Sequence, residues 1–300
     1  MPILTTASVY VFISGAFFGS IVSNLGKSLL DYFWASDMCI RETVRQSMIA
    51  SDPINLDEND LVPYDNLINR IVSKIQGNTW GIFVFAAPQG TGKSTFVKMA
   101  IQNIRMQHPS IKLKLIKGGS SVLQQKNLHV HLRIPSARSL SDFLPPQSVI
   151  FIDQIDFQST ESELSEELRL YLTELATDSS NSKTFKIILC VSNAKVTSGI
   201  LKCNGFEKIQ PICSYEDLAW NDVQLHTFID KKLAGLSISD KEKLKELAAT
   251  CKNSPGLVIK TVDSLQPVAN GTSISDWRTL ERYAQKSEAS WKEFEEVKND

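Results

Sequence analysis

The sequence lacks an excess of charge of either sign. Its 300 residues include 32 lysine and arginine residues and 33 aspartate and glutamate residues, which gives a net charge of −1 at pH 7. A chain without a general basic field has no long-range attraction for polynucleotide phosphates. Composition therefore gives no support to a protein that binds nucleic acid over its whole surface, although a local basic patch stays open.

Cysteine is scarce and its spacing is irregular. There are five cysteines, an odd number, and no two of them have C-x-x-C spacing. Cys190 lies within an apolar run that is typical of a buried strand. These features argue against a disulfide-stabilised scaffold and favour reduced thiols in a cytosol-like compartment.

The first 26 residues contain no charged side chain. At ~1.5 Å per residue, about 20 residues of helix cross the hydrocarbon core of a bilayer, and residues 7–26 are long and apolar enough to do so. Gly15 and Gly19 form a G-x-x-x-G pattern that permits close helix contact in lipid. The sequence therefore predicts an N-terminal hydrophobic helix, within residues 1–30, that anchors the chain in a membrane.

Two other interpretations of this segment stay open: a cleaved signal peptide, and a packing or self-assembly helix of a soluble protein. A signal peptide normally begins with positive charge, whereas the first basic residue here is Lys27. Lys27, Arg41 and Arg45 follow the apolar segment, and the cytosolic flank of a membrane span usually carries the positive charge. We therefore expect a single-pass membrane protein with its remaining residues on the cytosolic or matrix side.

The strongest motif lies in residues 81–98. Residues 82–85 are β-branched or aromatic, as a strand buried on both faces requires, and a glycine-containing loop and a helix start follow. Such a loop can direct several backbone N–H groups at phosphate oxygens, with the positive end of the helix dipole behind them. The predicted nucleotide-binding residues are Ala87, Pro88, Gln89, Gly90, Thr91, Gly92, Lys93, Ser94 and Thr95.

The pattern G-x-x-x-x-G-K-[ST] of phosphate-binding loops is matched here at all but its first position. Lys93 is expected to bind the β- and γ-phosphates, and the Ser94 hydroxyl to ligate Mg²⁺. Ala87 stands where the pattern has its first glycine, and alanine fits there if its φ angle is negative. The sequence predicts a nucleotide site with magnesium.

A second apolar strand, over residues 148–153, ends in a carboxylate. Asp153 is placed to hold a metal-bound water opposite Ser94, as nucleotide-bound Mg²⁺ requires. Gln154 follows, and glutamine can orient an attacking water without acting as a strong base. Asp156 is either an alternative acid or the cap of the next helix.

The apolar segments around residues 82, 112, 149 and 187 alternate with helices or long crossovers. This order predicts a parallel α/β sheet with its ligand at the carboxyl edge. We expect a juxtamembrane helix and linker over residues 31–60, the P-loop core sandwiched by helices over 61–213, and a smaller all-α lid over 214–300.

Three more segments carry expectations. Residues 128–134 read as a strand on which His129 and His131 share a face, either as a metal pair or as solvated surface. Residues 177–183 read as a polar loop. The last helix, over 275–297, has an apolar stripe suited to packing on the lid or to a short coiled coil.

From residue 61 to about residue 260, the order of these features resembles the AAA+ and STAND-type P-loop ATPases. The resemblance implies ATP hydrolysis, and it makes Asn193 the sensor-1 residue beside the γ-phosphate, with an ordinary turn asparagine as the alternative. Lys260 falls where such proteins have a lid arginine, although a surface lysine is the other interpretation. The sequence Asn193-Ala-Lys195 differs from the N-K-x-D motif of GTPases, which favours ATP.

Two further implications follow from the same resemblance. The segment before the first strand contacts adenine in these families, which makes Val62, Pro63 and Tyr64 candidate cofactor-binding residues. Ring-forming members usually supply an arginine finger after sensor 1, whereas no arginine occurs between Arg169 and Arg278. A ring-forming motor is therefore less favoured.

We expect a membrane-tethered AAA+-like ATPase that binds ATP or ADP with Mg²⁺ and couples the nucleotide state to an unidentified protein client or to homo-oligomer assembly. Gln154 indicates slow or regulated hydrolysis. It also favours the first alternative, a nucleotide-gated scaffold with little hydrolysis. The second alternative, a nucleic-acid translocase, is not supported because no basic and aromatic track is visible, but it is not excluded.

Overall fold

A computed structural model describes residues 37–49, 65–135, 138–156, 164–203, 209–211, 218–265 and 273–299. The predicted membrane segment, most of the linker and the candidate adenine contacts Val62, Pro63 and Tyr64 lie outside these residues and stay predictions. Within the described ranges, no helix combines the length and apolar character that a membrane span needs.

Five parallel strands form one sheet in the order β2-β3-β4-β1-β5. This confirms the predicted parallel α/β sheet. The strands β1 and β4 are neighbours although far apart in sequence, so the chain crosses over between them, and the carboxyl ends of β1, β3 and β4 meet at the centre of one edge. The bounds are β1 Gly81–Ala86, β2 Lys112–Ile116, β3 Ser148–Ile155, β4 Phe185–Val191 and β5 Ile209–Pro211.

The central strands are buried on both faces because their side chains alternate between two hydrophobic clusters. In β1, Phe83 and Phe85 belong to one cluster, and Ile82 and Val84 to the other. Strands β3 and β4 divide their residues in the same way. Continuous apolar runs are what such a doubly covered sheet requires.

Eleven helices surround the sheet or follow it within the described residues. Residues of α2 and α3 pack on the face that carries Phe83, and residues of α1, α6 and α7 pack mainly on the other face. The bounds are α1 Asp37–Ile49, α2 Asp65–Gln76, α3 Lys93–Gln107, α4 Gly119–Gln124, α5 Leu128–Leu132, α6 Glu166–Ser182, α7 Ala194–Leu201, α8 Asp222–Lys232, α9 Ile238–Thr250, α10 Pro255–Ser264 and α11 Trp277–Asn299.

Helix α1, expected in the juxtamembrane segment, packs on the α/β core. Its apolar stripe of Ile40, Val44 and Met48 joins the cluster on the second face of the sheet. Lys114 Nζ on β2 donates to the carbonyl of Ser47 at 2.9 Å. The predicted helix is present, and it is part of the folded core.

The predicted strand over residues 128–134 is wrong, because the chain forms the short helix α5 there. Leu128 and Leu132, one turn apart, are both fully buried, so the buried residues recur at the spacing of a helix. His129 and His131 are two residues apart on a helix and cannot share a face. The His129 ring contacts the Arg138 carbonyl at 2.9 Å, and no cluster of three metal-binding side chains occurs among the described residues.

Two other boundaries differ from the sequence prediction. The predicted polar loop over 177–183 is largely the last part of α6, where the buried Ser179 donates its hydroxyl to the Phe185 carbonyl. The sequence Ser239-Asp-Lys-Glu predicts a capping box that opens helix α9 at Ser239. The cap is instead Ser237, whose hydroxyl accepts from the Asp240 N–H at 3.2 Å.

The helices α8 to α11 form the all-α part that follows the sheet. The sequence Ser254-Pro255-Gly256 predicts a helix start, and helix α10 begins after Ser254 with Pro255 in its first turn. Helix α11 buries Leu280, Ala284 and Trp291 in the cluster that also covers β1. The apolar stripe of this last helix therefore packs within the chain.

Candidate nucleotide-binding site

The loop between β1 and α3 has the backbone of an anion-binding turn. Gly90 and Gly92 have φ angles of +85° and +87°, which side chains with a Cβ rarely adopt. Thr91 is fully buried between them, and its hydroxyl donates to the Pro88 carbonyl at 2.9 Å. A loop of this kind, leading directly into a helix, presents backbone N–H groups and a positive helix end to an anion.

Ala87 fits the position that is glycine in the motif. It is not among the residues with positive φ, and its methyl group lies fully buried in the core. Its N–H donates to the Val191 carbonyl at 3.2 Å, which continues the pairing of β1 with β4. Alanine in place of the first glycine of the motif is therefore compatible with the backbone conformation of the loop.

Lys93, at the start of α3, folds back into the loop. Its Nζ donates to the carbonyls of Ala87 at 2.6 Å and Pro88 at 2.7 Å, and the residue is only 6% exposed. Burial lowers the pKa of the ammonium group to about 8, although Cys190, Asp153 and Asp156 act in the opposite direction. The lysine is held inside the loop from which phosphates would be contacted.

Asp153 lies near the carboxyl end of β3, as the apolar run before it predicts. The carboxylate is 4% exposed and acts electrostatically on Lys93, so both groups belong to one site. Ser94 is half-buried in the first turn of α3. A hydroxyl and a carboxylate are oxygen donors suited to Mg²⁺, which commonly takes one or two protein ligands and completes its shell with phosphates and water.

Gln154 occupies a strained bulge. Its φ angle is +64° and its side chain is exposed, and the pairing of β3 with β4 shifts register between Ile152 and Ile155. A non-glycine residue in this region costs roughly 1 to 2 kcal/mol. The bulge interrupts the regular pairing of β3 between Ile152 and Ile155, next to Asp153.

Gly119 and Ser120 support this bulge, and neither is among the residues predicted from the sequence. The Ser120 hydroxyl donates to the Gln154 carbonyl at 3.2 Å and accepts from the Asp156 N–H at 2.7 Å. A Cβ on Gly119 would lie 2.8 Å from the Asp153 carbonyl. The Gly118-Gly119 pair directly after β2 was the signal for this close approach.

Asn193 follows β4 at the same edge, and its side chain caps α7. Its Oδ1 accepts from the Val196 N–H at 3.1 Å. Asn193 is half-buried. The sensor-1 assignment stays a prediction beside this capping role.

The other predicted residues lie around the loop. Gln89 and Thr95 are exposed. Lys260 Nζ lies 3.8 Å from the centroid of the Tyr283 ring, so this lysine contacts α11. A cavity of about 360 Å³ next to Trp80 and Lys186 lies at the opposite edge of the sheet, where the strands begin. It is separate from the phosphate loop.

Comparison with known proteins gives one match to a family model and two structural likenesses. The model of the "ATPase family associated with various cellular activities (AAA)" matches residues 83–213. We found no match among curated proteins.

Among solved structures, the chain is similar to domain III of the Thermotoga maritima replication initiation protein DnaA, with 11% identity, a TM-score of 0.44, and coverage of 77% of this chain and 98% of that one. It is also similar to the Aeropyrum pernix ORC1 protein, solved in complex with DNA, with 11% identity, a TM-score of 0.44, and coverage of 81% and 68%.

Proposed function

We propose that residues 83–213, which the model of the AAA family matches, form an AAA+ P-loop ATPase domain, and that the protein binds ATP with Mg²⁺ and couples its nucleotide state to a protein partner or to self-assembly. The observation that carries the proposal is the phosphate loop itself. Gly90 and Gly92 have left-handed conformations, and Lys93 is buried within electrostatic range of Asp153.

Each residue of the site has a role that follows from its chemistry. The loop N–H groups and Lys93 would bind the phosphates, and Ser94 and Asp153 would hold Mg²⁺, which would neutralise charge on the phosphate oxygens. Gln154 orients a water molecule without taking its proton. Hydrolysis is therefore slow or depends on a partner.

Single-turnover hydrolysis of ATP tests this proposal. Asp153→Asn should abolish Mg²⁺-dependent hydrolysis, because one of the two proposed magnesium ligands loses its charge. Gln154→Glu should accelerate hydrolysis about tenfold or more, since general-base catalysis contributes roughly 10²- to 10⁴-fold where geometry permits. Gln154→Asn, which keeps an amide, is the matched control. Equal hydrolysis by the wild type and Asp153→Asn would refute the assignment of this site.

A nucleotide-gated scaffold is the second candidate, favoured by the exposed Gln154 in its bulge. Such a protein assembles when ATP is bound and hardly hydrolyses it. The size of the detergent-extracted protein should then differ between ADP and a non-hydrolysable ATP analogue. The same size with both nucleotides would exclude the scaffold and support the slow ATPase that does not assemble.

The uncharged segment within residues 1–26 supports a further proposal, a single membrane anchor that keeps the ATPase domain on the cytosolic or matrix side. Alkaline carbonate extraction distinguishes an anchored chain from a peripheral one. Release of the full chain into the soluble fraction would contradict the anchor.

A further inference from the structure

The helices after the sheet touch the phosphate loop at the peptide around Gly90. The start of α10 and the ring of Tyr283 on α11 meet there. An added Cβ on Gly90 would overlap the Tyr283 hydroxyl, and it would lie 3.7 Å from the Gly256 Cα. The tyrosine hydroxyl therefore lies against the tip of the loop.

Gly256 allows this approach from the side of the lid. A Cβ on Gly256 would overlap the Gly90 carbonyl oxygen and lie 2.6 Å from the Tyr283 hydroxyl and 2.8 Å from the Gly90 Cα. Two of these neighbours are backbone atoms of the loop, which cannot move aside as a flexible side chain can. The contact depends on two glycines, one in the loop and one in α10.

A hydrogen bond crosses the same contact. Ser254 is the N-cap residue of α10, yet its side chain makes no capping bond to its own helix. Its hydroxyl donates instead to the Gly90 carbonyl at 3.2 Å. A capping bond within the helix would contribute about 1 kcal/mol to its stability. The Ser254 hydroxyl bonds the phosphate loop instead of capping α10.

The Tyr283 ring is contacted by a lysine of the preceding helix. Lys260 Nζ lies over its ring, 3.8 Å from the centroid. Burial raises the pKa of the phenol, so the hydroxyl stays neutral at physiological pH and adds no negative charge beside a phosphate site. The ring is fixed while its hydroxyl end meets the loop.

We propose that Ser254, Gly256 and Tyr283 form a lid contact that positions the phosphate loop for nucleotide binding, with Tyr283 as the positioning residue. The contact fixes the left-handed conformation of Gly90, on which the inward direction of the loop N–H groups depends. Loss of the contact leaves the loop to be ordered at the moment of binding, which weakens affinity. This inference rests on the proposed function and deepens it.

Calorimetric titration of the full detergent-solubilised chain with Mg²⁺ and ADP tests the proposal. Tyr283→Ala should raise Kd about tenfold, the size of coupling measured between packed groups. Tyr171→Phe, a change in another buried tyrosine on α6, should leave Kd unchanged. Irreversibly unfolded chains would lower the stoichiometry of binding without raising Kd, whereas reversible unfolding raises the apparent Kd. A thermal unfolding midpoint well above the titration temperature excludes reversible unfolding as the cause of a raised Kd.

Gly256→Ala gives an independent test, because a purely structural role and the lid contact predict different effects on Kd. Alanine favours a helix over glycine, so a merely structural role for Gly256 predicts a more stable α10 and unchanged Kd. The lid contact predicts a raised Kd, because the added methyl group overlaps the Gly90 carbonyl. Unchanged or tighter binding by both Gly256→Ala and Tyr283→Ala would overturn the proposal, whereas no binding by the wild type would overturn the proposed function itself.

Discussion

Two buried lysines lie at opposite edges of the same sheet, and they are bonded differently. Lys93 at the carboxyl edge donates to two loop carbonyls. Lys186, at the start of β4, donates to three carbonyls at the end of α2, those of Lys74 at 2.9 Å, Ile75 at 2.6 Å and Gly77 at 2.6 Å.

Burial and pKa alone do not distinguish these two residues. Burial lowers the pKa of each ammonium group to about 8, and both are almost inaccessible to solvent. An ammonium group has three donors. Lys186 uses all three on backbone carbonyls and lies over the Trp80 ring at 4.7 Å, so it stabilises the fold, whereas Lys93 bonds two loop carbonyls beside a carboxylate.

The largest expected effect on stability comes from Lys186→Met. Three carbonyls lose their donor, at roughly 1 kcal/mol or more each, while the cost of burying a charge is relieved. We expect the free energy of unfolding to fall by about 2 kcal/mol, measured by urea denaturation. Lys93→Met is the matched control and should lose less, because only two loop carbonyls are affected. Equal losses would erase the distinction between the two edges.

The pH dependence of binding sharpens the same comparison. Nucleotide phosphates favour the charged form of Lys93, so above its lowered pKa of about 8 binding must take up a proton. Kd for ADP should therefore be constant from about pH 7 to 7.5 and rise by up to tenfold per pH unit above about 8.

Two variants serve as controls for that profile. Lys93→Arg should flatten it, because a guanidinium group does not titrate in this range. Lys186→Met should keep the wild-type profile, although Lys186 has a similar pKa. A profile that follows Lys186 instead would show that the amino edge, and not the phosphate loop, controls binding.

The smallest expected effect concerns Asn193 at the carboxyl edge. Asn193→Ala removes the cap of α7 and should lower the free energy of unfolding by about 1 kcal/mol, whereas Asn193→Asp keeps an acceptor and should restore it. If Asn193 also contacts the γ-phosphate, Asn193→Asp should still slow single-turnover hydrolysis. If the stable Asn193→Asp variant hydrolyses ATP at the wild-type rate, capping α7 is the only one of the two roles that remains for Asn193.

Much of the sheet could be predicted from the sequence because its central strands are buried on both faces. Continuous apolar runs mark β1, β3 and β4, and the phosphate loop follows β1 with only Ala87 out of pattern. The bulge at Gln154 was not predictable, because it depends on hydrogen bonds from Ser120, 34 residues away in sequence.

The errors have physical causes as well. Residues 128–134 alternate apolar and polar side chains as a strand does, but Leu128 and Leu132 are buried as neighbours on a helix. Ser179 is polar and was placed in a loop, yet its hydroxyl is satisfied by the Phe185 carbonyl inside the core. The contact of Tyr283 with Gly90 joins residues far apart in sequence, and only tertiary packing brings them together.

The central claim is that the loop ending in Lys93 and Ser94 encloses the phosphates of ATP. Calorimetric titration of the wild type and Lys93→Ala with Mg²⁺ and a non-hydrolysable ATP analogue tests it most directly. The account predicts saturable binding of one nucleotide per wild-type chain and affinity at least about tenfold weaker in the folded variant, a difference of roughly 1.4 kcal/mol. Equal affinity in the two proteins would contradict it.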